Sequence, residues 1–355
     1  MTYSEKMYNT DIWHDKFKDI PNTCVLGCEK IFERDLSDHV RKAIEVLPLT
    51  ENIIVTFLYE ALHSIHWNVV FNLLLDVGYK RILLIDGGEL PPILLGKPRH
   101  ENIHHFPDRT LQTSPYRNKL ELSNRYGNKQ LVPERERTKV FISLARMVRE
   151  ERIYFTNKIL NDTELYNKGI VSCGWGDTEP MKLQCISLSD EEMSRFPVTL
   201  GHQNADQHGY FEEFSTAMFN VVLESSIGMN TSRYYDGVFT DTDRLFITEK
   251  TTKAFYMHQI PIILGAPGIV QHLRSMGYDM FDEIVNHDYD NEDNIFKRCD
   301  MIFAELKRLS SIPLNQLNNM LTIQSTLPDR FHHNRSLLHQ YAEDKVILDW
   351  IDNNF

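Results

Sequence analysis

Strand, helix and strand follow one another between Asn52 and Asp86 with almost no chain to spare, and that spacing constrains the fold more than any other feature. "NIIVTFLYEA" (Asn52 to Ala61) is rich in β-branched and aromatic residues. "HSIHWNVVFNLLLDVGY" sets apolar residues at helical spacing and closes at Gly78, and "KRILLIDGGEL" is a short apolar strand running into glycines. Two strands joined through a helix lie parallel, with a right-handed crossover. The same grammar returns in "KVFISLARMVREERIYFTNKIL", a strand passing into a helix. It continues through "GIVSCGW" and "FNVVLESS" (Phe219 to Ser226), a helix from Glu249 to His258, the strand "IPIILG" and a helix around "IVQHLRSMGY". The expected class is α/β, in two βα-rich halves.

A chain of 355 residues exceeds one core, and two domains of about 150 residues each are expected. From Gly96 to Arg137 the sequence is polar, carries Pro98, Pro107, Pro115 and Pro133, and lacks periodicity. It reads as long loops ending in an interdomain linker at "VPERER". The boundaries expected are therefore an N-terminal Rossmann-like lobe at 1–137, a second at 138–310, and C-terminal helices at 311–355 that could pack back on the first lobe.

At 42% hydrophobic and 25% charged residues, the makeup is that of a folded globular protein. A net charge of -12 argues against a general nucleic-acid binder, which needs a dense basic face. The charge is uneven, however: Lys97 to Lys158 hold fourteen Lys/Arg against seven Asp/Glu, a local segment suited to phosphates. No apolar run approaches the roughly 20 residues that span a bilayer. The opening "MTYSEKMYNTDIWHDKF" lacks the layout of a signal peptide, so a cytoplasmic location is expected. Cys24, Cys28, Cys173, Cys185 and Cys299 are too scattered for a disulfide framework or a tetrahedral zinc site and read as buried thiols.

The stretch "FITEKTTKAFYMHQIPIILG" (Phe246 to Gly265) sets an acid beside a base at a helix start. Thr248 is a good N-cap, and the first-turn N–H groups beyond it form a positive pole suited to anions. Lys250 opposes that dipole, which is explained if it holds an anion such as a nucleotide diphosphate. Glu249 suits sugar or ribose hydroxyls instead. A solvated Glu–Lys pair is the structural alternative. Ligands of open α/β sheets bind outside the carboxyl ends of the strands, where Gly265 and Gly268 would let backbone approach closely.

"VVLESS" followed by "FITEKTTKAFYMHQIPIILGAPG" resembles the donor-binding motif of the α1,3-fucosyltransferase family: F-E-N-S, a variable gap, Y-x-T-E-K, and a later P-[IV]-x-x-G. Glu224 and Ser226 match the first block, with Leu223 and Ser225 in place of its Phe and Asn. Thr248, Glu249, Lys250, Pro261 and Gly265 match the rest, with Phe246 where the family has Tyr. "FISLARMVREERIYF" is similar to the family's strand-to-helix segment whose Arg grips the donor diphosphate, with Arg152 the best match and Arg149 the alternate. "ILLIDGGELPP" resembles the segment that carries the general base, which points to Glu89. The chain is also similar to fucosyltransferase-like proteins of bacterial and other viruses, in which a segment of the type "MGYDMFDEIVNHDYDN" recurs.

The resemblance implies a GT-B arrangement, two Rossmann-like lobes facing across a cleft, with a UDP- or GDP-sugar on the second lobe and the acceptor on the first. It implies an inverting, metal-independent transfer in which Glu89 deprotonates an acceptor hydroxyl while Arg152 and Lys250 neutralise the leaving diphosphate. A viral member would work in the host cytoplasm. The acceptor is either a glycan hydroxyl or a hydroxymethyl pyrimidine of DNA; the latter draws on the basic segment with Phe106, Tyr116 and Tyr126. Two alternatives stand beside this. Asp241 to Asp243, "DTD", could be a manganese-binding D-x-D. A two-lobed, non-catalytic nucleotide-sugar-binding protein would keep Lys250 and Arg152 and have no use for Glu89. His63, His66, His104, His105, His332 and His333 lack a carboxylate at metal-site spacing and read as surface or core histidines.

Overall fold

The computed structural model describes residues 20–27, 41–42, 45, 47, 50–57, 73–86, 103–107, 135–145, 149–174, 186–200, 211–224, 234–235, 238–239, 245, 247–322 and 326–341. The chain divides into two compact units. Unit 1 holds Met1–Leu111, Asp243–Phe246 and Tyr341–Phe355, and unit 2 holds Gln112–Thr242 and Ile247–Gln340.

Unit 1 is built on four strands, β1 (Thr23–Gly27), β2 (Asn52–Phe57), β3 (Arg81–Asp86) and β4 (Ile103–Pro107), all parallel and in the order β1-β2-β3-β4. Val25, Leu26, Ile53, Ile54, Val55, Ile82 and Leu83 are buried. Consecutive buried residues along one strand are what a parallel sheet covered on both faces requires. The helical turn at 73–77 ends at Gly78, whose φ of +102° lies in the left-handed region. Cys24 is buried with its Sγ 3.6 Å from the Tyr79 hydroxyl. β4 corrects the sequence reading, which treats 96–137 as loops throughout. "IHHFP" is short, carries two histidines and ends in proline, so no apolar run marks it. Proline is tolerated there because β4 is an edge strand.

Unit 2 contains β5 (Lys139–Ala145), α1 (Glu150–Asn161), α2 (Thr163–Lys168), β6 (Gly169–Cys173), α3 (Asp190–Met193), α4 (Phe211–Thr216) and β7 (Ala217–Leu223). A short antiparallel pair, β8 (Tyr234–Tyr235) and β9 (Val238–Phe239), precedes α5 (Glu249–Tyr256), β10 (Ile260–Leu264) and α6 (Ile269–Ser275). A 3-10 turn at Asp288–Asn291 leads to α7 (Ile295–Ser310), α8 (Leu314–Asn319) and α9 (Leu327–Tyr341). The sheet is parallel with order β10-β7-β5-β6. The expected α/β class is what both units show.

That order has a consequence for function. The chain leaves β5 to one side to make β6, then returns to build β7 and β10 on the other side. The winding thus reverses between β5 and β7, and a doubly wound sheet opens a crevice at the carboxyl ends of such a strand pair.

β7 and β10 are buried at every position. β10 is an edge strand, and its free backbone row is covered: the Tyr289 hydroxyl accepts from the Ile263 N–H at 3.1 Å, and Arg298 donates to the Gly265 carbonyl. The Tyr289 proton in turn faces His287 Nδ1 at 2.8 Å, while His287 Nε2 lies 2.7 Å from the Met280 carbonyl. A carbonyl only accepts, so Nε2 carries the proton and Nδ1 accepts. The one polar residue in the middle of β7, Asn220, donates to Gln259, which donates to the Phe214 and Ala217 carbonyls. At β6, the Phe141 ring fills the place where a side chain on Gly169 would begin.

Arg137, the last residue of "VPERER", is buried and bonded through both its side chain and its backbone. Its guanidinium donates to the Ser215 and His258 carbonyls, and its backbone exchanges bonds with the Asn318 side chain. Burial pushes its pKa down to about 10. Beside it lies His258, at φ +53° and wholly buried, stacked on Phe331 and edge-on to His332. Neither ring nitrogen has a partner among the described residues. Burial first, then the charges of Arg335, His332 and Arg137, pushes its pKa down to about 3.

A folded-state pKa below the unfolded value of about 6.5 means that the unfolded chain takes up the proton first as pH falls. His258 therefore contributes stability that is complete above pH 6.5 and is lost progressively toward pH 3. Denaturant unfolding from pH 7 to pH 4 should show the loss. His258→Asn, which tolerates the left-handed backbone, should be less stable at pH 7 but lose up to about 1.4 kcal/mol less per pH unit on acidification. An unchanged slope would place the acid sensitivity elsewhere.

Candidate functional site

The carboxyl ends of β5, β7 and β10 gather most of the sequence-predicted residues that the structure describes. After β5, Arg149 takes the N-cap position of α1 in extended conformation (φ -149°, ψ 150°) without capping it through its side chain, and is partly exposed. Three residues on, Arg152 is 3% exposed. Its Nη2 donates to the carbonyls of Leu223 at 3.1 Å and Glu224 at 2.6 Å. Burial, and secondarily Arg149, lowers its pKa from the usual arginine value. Arg152 thus ties the start of α1 to the end of β7, and Arg149 is the more accessible of the two cations.

Glu224 follows β7 directly and is 1% exposed. Its N–H donates to the Leu264 carbonyl at 2.9 Å, extending the β7–β10 pairing by one residue. Its carboxylate accepts from the Thr248 N–H at 3.0 Å, the Thr248 hydroxyl at 2.6 Å and the Thr251 hydroxyl at 2.6 Å. The Thr248 oxygen also accepts from the Lys250 N–H at 3.3 Å, as an N-cap does, and from Lys250 Nζ at 3.2 Å. The positive pole expected at the α5 start therefore meets the chain's own carboxylate. What α5 presents is the part-buried Lys250 side chain, held over its cap, with Glu249 as the first helical residue.

Pro261 lies in β10 and Gly265 just beyond it; both are buried. A side chain at Gly265 would press on Ile269 at 3.0 Å. Gly268, at φ +81°, opens α6. The first turn of α6 is also closed from within: Asp290, 4% exposed, accepts from the N–H groups of Val270 at 3.1 Å and Gln271 at 3.0 Å. Burial pushes the Asp290 carboxyl up, and these two N–H groups and Arg298 pull it back.

Glu89, Ser226, Phe246 and the Asp241–Asp243 "DTD" lie outside the described residues. So do Cys28, Cys185, His63 and His66. Cys173 and Cys299 are buried free thiols, and burial pushes Cys173 up to about 11, so it stays protonated at neutral pH. His333 Nε2 rests 2.9 Å from the Gly277 carbonyl. Among the described residues no group of three His, Cys, Asp or Glu is placed to hold a metal, and no helix is long and apolar enough to cross a membrane. Thr251, Asp290 and Arg298 escaped the sequence reading. Thr251 sits one residue past "TEK", and only the tertiary fold shows what the other two touch.

No family model matches the chain, and no curated protein matches it. Among solved structures it matches a beta-glucosyltransferase, described as a DNA modifying enzyme determined with and without the substrate uridine diphosphoglucose. That match has 10% identity, covers 89% of this chain and 98% of the other, and has a TM-score of 0.25.

Replacing Glu224 tests the hub directly. Glu224→Ala leaves a buried N–H and two hydroxyls without their acceptor and should lower stability by about 3 kcal/mol or more in denaturant unfolding; Glu224→Gln, which keeps one acceptor oxygen, should lose about 1 kcal/mol. Equal losses would mean that one acceptor oxygen without the charge restores nothing, and a Gln variant as stable as wild type would mean that the charge and the second oxygen contribute nothing.

Proposed function

We propose that the chain is a glycosyltransferase that moves a sugar from a nucleotide-diphosphate sugar to an acceptor hydroxyl, with inversion and without a metal. The observation that carries this reading is the convergence of Arg149, Lys250 and the Gly265–Gly268 loop at the carboxyl edge where the sheet of unit 2 reverses its winding. The likeness of this segment to the fucosyltransferase donor motif supports it. In this reading Lys250 and Arg149 meet the pyrophosphate, whose charge grows as the anomeric C–O bond breaks. Arg152 and Glu224 hold the elements that carry those two cations. Unit 2 is the donor lobe of a GT-B enzyme and unit 1 the acceptor lobe, with Glu89 after β3 removing the acceptor's proton as the new bond forms. The donor is a UDP- or GDP-sugar.

The acceptor is a glycan hydroxyl or a hydroxymethyl group of DNA. Of the six described cations in the basic segment, Arg137 and Arg152 are buried on backbone carbonyls and Lys158 pairs with Asp300 at 2.6 Å. Three of the six described cations are therefore already engaged within the chain, and that engagement favours the glycan. A steep fall of DNA affinity with salt would reverse that preference.

A thermal-shift series with UDP-, GDP-, CMP- and dTDP-sugars identifies the donor, since a ligand at 100 times its Kd adds about 2.7 kcal/mol. Lys250→Ala should weaken the corresponding nucleoside diphosphate about tenfold, ~1.4 kcal/mol, and leave the bare nucleoside unchanged. If no nucleotide sugar shifts the melting transition, the reading is wrong.

Glu89→Gln should abolish transfer while donor affinity persists. Transfer undiminished in that variant removes Glu89 from the mechanism. If the wild-type chain binds donor but transfers no sugar to glycan or DNA, it is a nucleotide-sugar-binding protein.

A further inference from the structure

The segment "MGYDMFDEIVNHDYDN" closes the start of α6 through one residue. Its Asp290 carboxylate accepts from the second and third N–H groups of α6, those of Val270 and Gln271, and the Asp290 carbonyl accepts from the Gly268 N–H at 2.9 Å. Three of the four backbone N–H groups from Gly268 to Gln271 are thus tied to one residue, and the fourth, that of Ile269, donates to the Ala266 carbonyl. At the other end of the loop, Arg298 is 1% exposed and donates through Nη1 to the Gly265 carbonyl and through Nη2 to the Glu292 carbonyl. Gly265, Ala266, Pro267 and Gly268 are therefore held at both ends by two buried, oppositely charged side chains that reach no solvent of their own. A buried charge is costly unless it is hydrogen-bonded, and each of these two makes its bonds to backbone at one end of the loop.

We infer that Asp290 and Arg298 are positioning residues for the donor: they fix the Gly265–Gly268 loop as a backbone wall of the nucleotide-sugar site, and Asp290, by filling the α6 start, keeps the pyrophosphate on the Arg149 and Lys250 side. This rests on the donor site proposed above. The wall meets the uncharged part of the donor, because Asp290 already occupies the Val270 and Gln271 N–H groups that would otherwise draw a phosphate. Neither residue touches the ligand, and each acts through loop geometry.

The test measures Kd for UDP and for GDP by calorimetry on the full chain, below the melting transition of each variant. Asp290→Asn and Arg298→Met should weaken the nucleotide that binds at least tenfold, and Arg298→Lys, which keeps one donor group within reach of a carbonyl, should recover part of that loss. Asp290→Glu serves where Asp290→Asn does not fold. Leu309→Ala, a buried position about 16 Å further along α7, gives comparable destabilisation without touching the loop and should leave Kd within twofold. If the wild type binds and the Asp290 and Arg298 variants bind equally well, or Leu309→Ala weakens binding as much as they do, the positioning role is overturned while the donor site stands. If the wild type binds neither UDP nor GDP, both the donor site and this inference fall.

Discussion

The carboxylate of Glu224 is the point on which unit 2 depends. Its side chain receives three hydrogen bonds from Thr248 and Thr251, its N–H extends the pairing with β10, and its carbonyl receives Arg152. One residue therefore joins the ends of β7 and β10 to the starts of α1 and α5. A buried carboxylate is tolerable only when donors surround it. Supplying those donors fixes where α5 begins and so where Lys250 stands. The reverse also holds, since removing the threonines would strand a charge in the interior.

The same device recurs one helix further on. Asp290 closes α6 as Glu224 closes α5, and in both places the chain provides the anion that a helix start attracts. Helix dipoles at this edge are thus used for assembly, and any ligand charge is left to side chains. Buried arginines complete the pattern. Arg137, Arg152 and Arg298 each donate from a guanidinium to backbone carbonyls near strand or helix ends, where regular backbone pairing runs out. Arg137 and Arg298 each hold two carbonyls through separate Nη atoms, a rigid fork that lysine lacks, whereas Arg152 reaches both of its carbonyls through Nη2.

The strands were legible where burial on both faces makes the apolar run continuous. β5, β7 and β10 announce themselves in "VFISL", "FNVVL" and "IPIIL", and Gly78 marks a helix end because only glycine sits easily at its φ. β4 was hidden because its five residues owe their strand conformation to β3 and not to their own pattern. In the site, the resemblance picked out Glu224, Thr248, Lys250 and Arg152. It could not show that the first two bond each other across 24 residues, or that Arg152 gives its guanidinium to a strand end 71 residues away.

By itself the sequence determined the α/β class, the parallel pairing and the run of residues at the head of α5, because hydrophobic period, glycine placement and cap chemistry act over a few neighbouring residues. The order β10-β7-β5-β6, the reversal between β5 and β7, and the closing of α5 and α6 by Glu224 and Asp290 were decided only by the tertiary structure. Those features depend on which distant groups share a low-dielectric interior. A carboxylate chooses its donors there by proximity in space, to which spacing along the chain is blind.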